Sequence, residues 1–238
     1  MTELALLALA TAAAGMLSAV TGFGGAVIVT PLFVAVLGVR DAVAVLTVVQ
    51  LASNVSRVAL NRHEVDRSIV LAFSAGAVPA AVVGALLFAV TPVPALVRAV
   101  GVFLLVAVAW LRLAPPLPRL GGRAVAGLGA ASGLGSALVG SVGPFVAPFL
   151  LAQGLVRGAY IGTEAATAVV MHLVKLVVYG AVAVLTMTGL LYGLLLVPAS
   201  VAGSWMGRRV VERMPVEAFR AVVEVGLVVA GVLLILRG

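Results

Sequence analysis

The 238 residues contain no cysteine, which excludes disulfides, thiolate metal sites and thiol relays. Charge is almost as scarce. Only 10% of the residues are Asp, Glu, Lys or Arg, where a soluble domain carries about 25%. Fifteen basic and eight acidic side chains cannot clothe a soluble fold of this size. A soluble enzyme, a nucleic-acid binder and a disordered chain are therefore excluded. Aromatics make up 5%, so the core must be built from Ala, Val, Leu and Gly. No nucleophile–base pair or cofactor motif stands out, and no cofactor is expected.

What is abundant is apolar length. The chain is 63% hydrophobic, with a mean hydropathy of +1.29, and reads as an all-α integral membrane protein. A spanning helix needs about 20 apolar residues. Uncharged runs cover residues 4–39, 68–97, 124–156 and 176–207, the longest being 36 residues. Breaks rich in Gly, Pro or charge divide the chain into eight hydropathy segments: 4–39, 41–60, 67–91, 94–113, 122–155, 158–182, 187–207 and 215–237. The start, Met1-Thr2-Glu3, is not basic, and the run behind it far exceeds a signal's h-region of about 7–15 residues. The first segment is therefore expected to remain as a membrane element.

Two segments are too long for straight spans. At about 1.5 Å per residue, 36 residues make a helix about 54 Å long, against a hydrocarbon core of about 30 Å. Segment 122–155 has the same excess. Each is interrupted near its middle, by Thr21-Gly22-Phe23-Gly24-Gly25 and by Gly140-Ser141-Val142-Gly143-Pro144. Each is expected to be a helix, a break and a second helix.

The interruptions recur at a spacing near 118 residues. Ser18 and Gly22 match Ser136 and Gly140, and Pro31 matches Pro148. Pro79-Ala80 with Gly84 matches Pro198-Ala199 with Gly203, and Arg98-Ala99-Val100 matches Arg220-Ala221-Val222. The expected domains are repeat 1 over 1–114 (hairpin 4–39, then helices 41–60, 67–91 and 94–113), a Pro-rich linker over 115–121, and repeat 2 over 122–238 (hairpin 122–155, then helices 158–182, 187–207 and 215–237).

The net charge of +7 bears on topology, because Lys and Arg hold loops on the cytoplasmic side. If all eight segments cross once, loop arginines divide six against seven. If the broken segments are hairpins that return to the side they came from, one side holds ten (Arg57, Arg62, Arg67, Arg112, Arg119, Arg123, Arg157, Arg208, Arg209, Arg213) and the other three (Arg40, Arg98, Arg237). The hairpin topology restores the bias. It places both termini outside and gives each half three crossings, so the halves must be inverted repeats, a recurring architecture of secondary transporters.

Non-helical backbone within a membrane needs protein or water to satisfy it. Helix N-termini just after the breaks, near Gly25 and Gly143, offer N–H groups and a positive dipole end to an anion. Ser18, Thr21, Ser136 and Ser141 add hydroxyls, and Gly22, Gly24 and Gly140 complete the two tips. The other use of such glycines is close helix packing.

Thr47, Gln50, Asn54 and Arg57 recur at spacings of 3, 4 and 3, on one helix face. Glu164, His172 and Lys175 share another, with Thr163 and Thr167 beside it. At an offset of 118, Asn54 matches His172 and Arg57 matches Lys175. Intramembrane ionisable groups are functional by default. Arg57 is placed to attract an anion from one side, or to snorkel. Lys175 is placed to attract it from the other, or to pair with Glu164 or a C-terminal carbonyl. His172 is either a proton carrier or a neutral packing group, and Glu164 either a coupling carboxylate or an interfacial one. The run 61–67 holds one His and two carboxylates, too few ligands for a metal, and reads as a solvated loop. Trp110 and Trp205 read as interfacial anchors.

The residues Gly15-Met16-Leu17-Ser18 through Gly22-Phe23-Gly24-Gly25 to Thr30-Pro31 have counterparts in Gly140-Ser141-Val142-Gly143-Pro144 to Ala147-Pro148. With the Asn54 region and the Pro79/Gly84 and Pro198/Gly203 pairs, this pattern resembles the TauE/SafE family of sulfite and organosulfonate exporters. It departs from the commoner pattern at Ser141 and Val142, which stand in place of small or Gly residues. The resemblance implies export of a small sulfur-containing anion such as sulfite, sulfoacetate or a related organosulfonate, across the cell inner membrane. An anion channel, or an importer of another small organic anion, fits the same halves. The expected partners are the substrate anion and the lipid bilayer, with no nucleic acid; Gly-rich helix faces also permit a homodimer.

Overall fold

The computed structural model describes residues 2–21, 25–113, 117–155, 157–211 and 232. Among them are nine helices and no strand. These are α1 (Thr2–Thr21), α2 (Ala26–Leu37), α3 (Val39–Leu60), α4 (Arg67–Val90), α5 (Val93–Leu113), α6 (Gly122–Val139), α7 (Gly143–Ala152), α8 (Arg157–Ala181) and α9 (Met187–Val211). The expected last segment, 215–237, lies outside the described residues apart from Val232.

Four helices are long and apolar enough to cross a membrane: α3, α4, α8 and α9. The surface carries the same message. Leu71, Val90, Val177, Leu191, Leu195 and Trp205 are all more than half exposed, while Thr11, Thr47, Asn54, Ser132, Thr163 and Lys175 are buried. Apolar outside and polar inside suits a protein whose solvent is lipid.

The long run 4–39 holds two helices, α1 and α2, and the run 122–155 holds α6 and α7. At the first break the chain doubles back, so that Gly25 lies against the backbone of Ala14. At the second, Gly140 has a φ of +91°, in the region that favours glycine, and α7 starts with Pro144 in its first turn, where a missing N–H costs nothing. Elsewhere local chemistry sets the ends. Asp66 caps α4 by accepting from the Ile69 N–H at 3.1 Å, and Gly38, with φ +79°, separates α2 from α3. Pro31, Pro79, Pro148 and Pro198 all lie inside helices, a use common in membrane spans.

The most extensive helix contacts are α4 with α6 and α1 with α9, and glycines make both possible. On α4 and α6, Gly76, Gly84, Gly129 and Gly133 each touch the facing backbone. On α1 and α9, Gly15 meets Ser200 and Ser204, and Gly203 meets Ala12. In lipid no hydrophobic drive joins helices, so such close approach supplies the dispersion that does. Between these pairs lie α3 and α8, packed on each other, with α9 against α3 and α4 against α8.

A Cβ at Gly133 or Gly203 would overlap the carbonyl oxygen of Ala77 or Ala12, whereas one at Gly127 meets open space. Gly133→Ala and Gly203→Ala are expected to cost about 1–3 kcal/mol by overpacking. Gly127→Ala should stay within about 0.5 kcal/mol. Denaturant unfolding of the purified variants in detergent measures the difference.

Candidate functional site

The polar faces of α3 and α8 meet at a cavity of two chambers that share Gln50, Asn54 and Arg57. One chamber runs toward α1 and α9, lined by Thr11, Ser18, Ser53 and Ser200 with apolar Val29, Leu46 and Val49. The other runs toward α6 and α7, lined by Ser136, Ser141, Val142, Gly143, Glu164, Thr167 and His172. The 3-4-3 spacing on α3 turns Thr47, Gln50, Asn54 and Arg57 to one buried side.

Arg57 is 4% exposed and Glu164 5%. Arg57 Nη1 donates to Glu164 Oε2 at 3.0 Å. Its Nη2 donates to Asn54 Oδ1, one turn back on α3, and Asn54 Nδ2 donates to Gln50 O at 2.8 Å. Arg57 is therefore not at the interface but fixed inside, and the pair ties α3 to α8. On the same wall Gln50 Nε2 and His172 Nδ1 are buried and take no hydrogen-bond partner among the described residues. A buried donor without a partner costs about 1–3 kcal/mol. A cavity that keeps two such groups is suited to a polar ligand.

The N-terminus of α7 opens on the second chamber. The N–H groups of Phe145 and Val146 fold back onto Val142 O at 2.9 and 3.2 Å, and Pro144 has none. The N–H groups ahead of them belong to Ser141, Val142 and Gly143, all of which line the chamber. The dipole of α7 thus points its positive end at the space next to Arg57.

The residues matched at the spacing of about 118 do different work. Ser18 donates to Ala14 O at 2.8 Å and accepts from the Gly25 N–H, bracing the first break from within. The second break is braced from α8. Lys175, the one lysine of the chain, is 0% exposed. It donates to Ser136 O, Ser136 Oγ and Gly140 O at 3.2, 3.0 and 2.8 Å. One turn on, Tyr179 OH donates to Ala137 O. At the end of α6, Ser136 O accepts from the Gly140 N–H at 3.0 Å as well as from Lys175, Gly140 O from Lys175 and Ala137 O from Tyr179, and a cation there also suits the dipole. All three donors of the ammonium are used, and Lys175 does not line either chamber. Its place is on the end of α6, while its repeat counterpart Arg57 faces the cavity.

Gly140 and Gly25 therefore shape the breaks, and Ser136, Ser141 and Gly143 reach the cavity. Gly22, Gly24 and the side chain of Thr21 lie outside the described residues. The hydroxyls of Thr11, Ser53 and Ser200 were not singled out by sequence, since lone hydroxyls in apolar helices carry no periodic signal. Trp110 stacks with Phe149 and tilts against Phe145, both centroids 5.6 Å away, so it joins α5 to α7, while Trp205 is exposed. No metal-binding cluster is found among the described residues. In the loop before α4, the Asp66 N–H donates to Thr163 Oγ1 at 2.9 Å.

An all-helical protein with apolar outer faces, enclosing a polar cavity with a buried cation and a helix N-terminus, has the makings of a membrane transport protein. The particular family follows from comparison with known proteins: the family model described as "Sulfite exporter TauE/SafE" matches residues 7–234. The chain belongs to the TauE/SafE family, whose members are membrane transporters and not enzymes. No curated protein and no solved structure gives a significant match.

Replacing Lys175 by Met keeps the length but removes the ammonium donor from Ser136 O, Ser136 Oγ and Gly140 O. Lys175→Met is expected to lower unfolding stability by about 1–3 kcal/mol, measured in detergent against wild type. A Lys175→Met protein of unchanged stability would contradict the capping assignment.

Proposed function

We propose that this protein exports a small sulfur-containing anion, such as sulfite, sulfoacetate or a related organosulfonate, across the cell inner membrane. The observation that carries the reading is the second chamber. There a buried Arg57, the unpartnered Gln50 Nε2 and His172, and the α7 N-terminus converge inside an otherwise apolar chain. A tetrahedral or pyramidal oxyanion presents several acceptors at once, and such a set of donors matches it. Membership of a family described by sulfite export supports a sulfur-containing anion.

Alternating access of two inverted repeats is the mechanism we favour. Its support is that helix contacts exchange in matched pairs: α1 on α9 answers α6 on α4, and α3 on α9 answers α8 on α4. The close-packing glycines answer each other too, Gly15 with Gly133 and Gly84 with Gly203, at spacings of 118 and 119. The hairpin topology follows the arginine bias, with both termini outside. An inside-negative potential favours exit of a monoanion that crosses without a proton by about 2.3 kcal/mol per 100 mV, and leaves one that crosses with a proton unaffected. In this reading Arg57 binds the anion and Lys175 holds the break that shapes the site. Gly15, Gly84, Gly133 and Gly203 are occupied within the chain, so they lend no support to a homodimer.

Purified protein in liposomes is expected to show counterflow of sulfite or sulfoacetate that acetate does not compete for. Arg57→Ala should lower that flux at least about tenfold, the effect of about 1.4 kcal/mol of lost binding. Flux through Arg57→Ala at the wild-type rate, or currents without counterflow, would overturn the proposal.

A further inference from the structure

The cation of the cavity is already occupied by part of the protein. Arg57 donates from Nη1 to Glu164 Oε2 at 3.0 Å and from Nη2 to Asn54 Oδ1, and both charged groups line the chamber onto which Gly143 opens. An anion that reaches Arg57 meets a carboxylate in its place. Resting on the reading of this cavity as an anion site, we infer that Glu164 is a resident stand-in for the substrate. It holds Arg57 while the cavity lacks an anion and gives it up, on taking a proton, when the anion arrives.

Charge counting leads to the proton. The chamber holds one guanidinium and one carboxylate beside a neutral His172, a sum of zero. A monoanion added to that sum leaves a net negative charge among buried groups. If it takes Nη1 from Glu164, it strands the carboxylate as an uncompensated buried charge, among the costliest changes a protein interior can undergo. A proton from the aqueous phase to which the cavity is open, bound on the carboxylate as the Nη1–Oε2 hydrogen bond breaks, restores the sum. A substrate oxygen then accepts from Nη1. On release the steps reverse and the proton leaves with the anion. Each monoanion thereby travels with one proton and the cycle moves no net charge.

The groups that face Glu164 are few. From α3 there are Arg57 and Asn54, and on its own helix Tyr160, His172 and, beyond them, Lys175, which is committed to α6. The chamber-lining residues of α7 carry no titratable side chain, and the basic residues of α4 and α6, Arg67 and Arg123, are exposed near the helix starts. Thr167 Oγ1 donates to the Glu164 backbone oxygen at 2.8 Å, so it does not hold the carboxylate. A proton on His172 would leave that carboxylate still opposing the anion on the same guanidinium. The pair joins α3 to α8, so its breaking also removes a tie across that seam.

The test uses ethanesulfonate, a strongly acidic sulfonate that stays ionised itself, bound to the full-length protein in detergent. Calorimetric titrations at one pH in buffers of different ionisation enthalpy report the protons exchanged. Wild type is expected to take up about one proton per anion, so its affinity weakens as pH rises. E164Q is expected to bind with no proton uptake and about tenfold more tightly at neutral pH, while H172Q, whatever its affinity, keeps the uptake per anion bound. Binding by wild type without proton uptake overturns the inference whether or not the variants fold. Uptake that persists in E164Q, or that vanishes in H172Q alone, also overturns it. If wild type binds neither ethanesulfonate nor sulfite, the anion-site reading falls, and this inference with it.

Discussion

A helix that stops within a hydrocarbon layer leaves backbone groups that no lipid can satisfy, and this structure is organised around meeting that demand twice. At the first break Ser18 accepts from the Gly25 N–H and donates to Ala14 O. At the second, Lys175 and Tyr179 reach from α8 to the last carbonyls of α6. These contacts let the chain turn inside the bundle, and so let the N-terminus of α7 present its N–H groups and positive end beside Arg57. They also explain why Arg57 and Lys175, 118 residues apart, do different work. One is consumed by the fold, which leaves the other for the cavity.

The rest of the fold divides into parts that cannot give and a part that can. The α4–α6 and α1–α9 pairs meet through glycines whose Cα atoms touch the opposite backbone, which allows no sliding without loss of dispersion contacts. The α3–α8 seam is polar, holds the two chambers, and contains donors without partners. Each tight pair joins a helix of the first half of the chain to a helix of the second, so the two halves interlock through α1–α9 and α4–α6, with α3 and α8 between them.

Much of this could be read from residues alone, for physical reasons that can be named. The excess length of 4–39 and 122–155 and the Gly-rich interruptions follow from the thickness of a bilayer and the chemistry of glycine. The polar stripe from Thr47 to Arg57 shows because helical periodicity makes four polar residues in an apolar helix visible. The partner of each cation was not legible. Lys175 meets an oxygen 35 residues away and Arg57 a carboxylate 107 away, and no local pattern encodes which helix end will stand opposite. The same holds for Thr11, Ser53 and Ser200. A hydroxyl in a membrane helix usually bonds its own backbone, as Thr47 does with Val43 O at 2.8 Å. Only packing tells which hydroxyls line a cavity. Glycine offered two readings in sequence, tip and close contact, and the structure uses it for both.

The central claim is that an anion sits between α3 and α8, held by Arg57 and the start of α7. A crystal structure of the protein with 2-bromoethanesulfonate, its bromine located by anomalous scattering, tests this most directly. The account predicts sulfonate oxygens within about 3 Å of the Arg57 guanidinium and of an N–H among Ser141, Val142 and Gly143. A sulfonate bound elsewhere, with Arg57 still closed on Glu164, would contradict it.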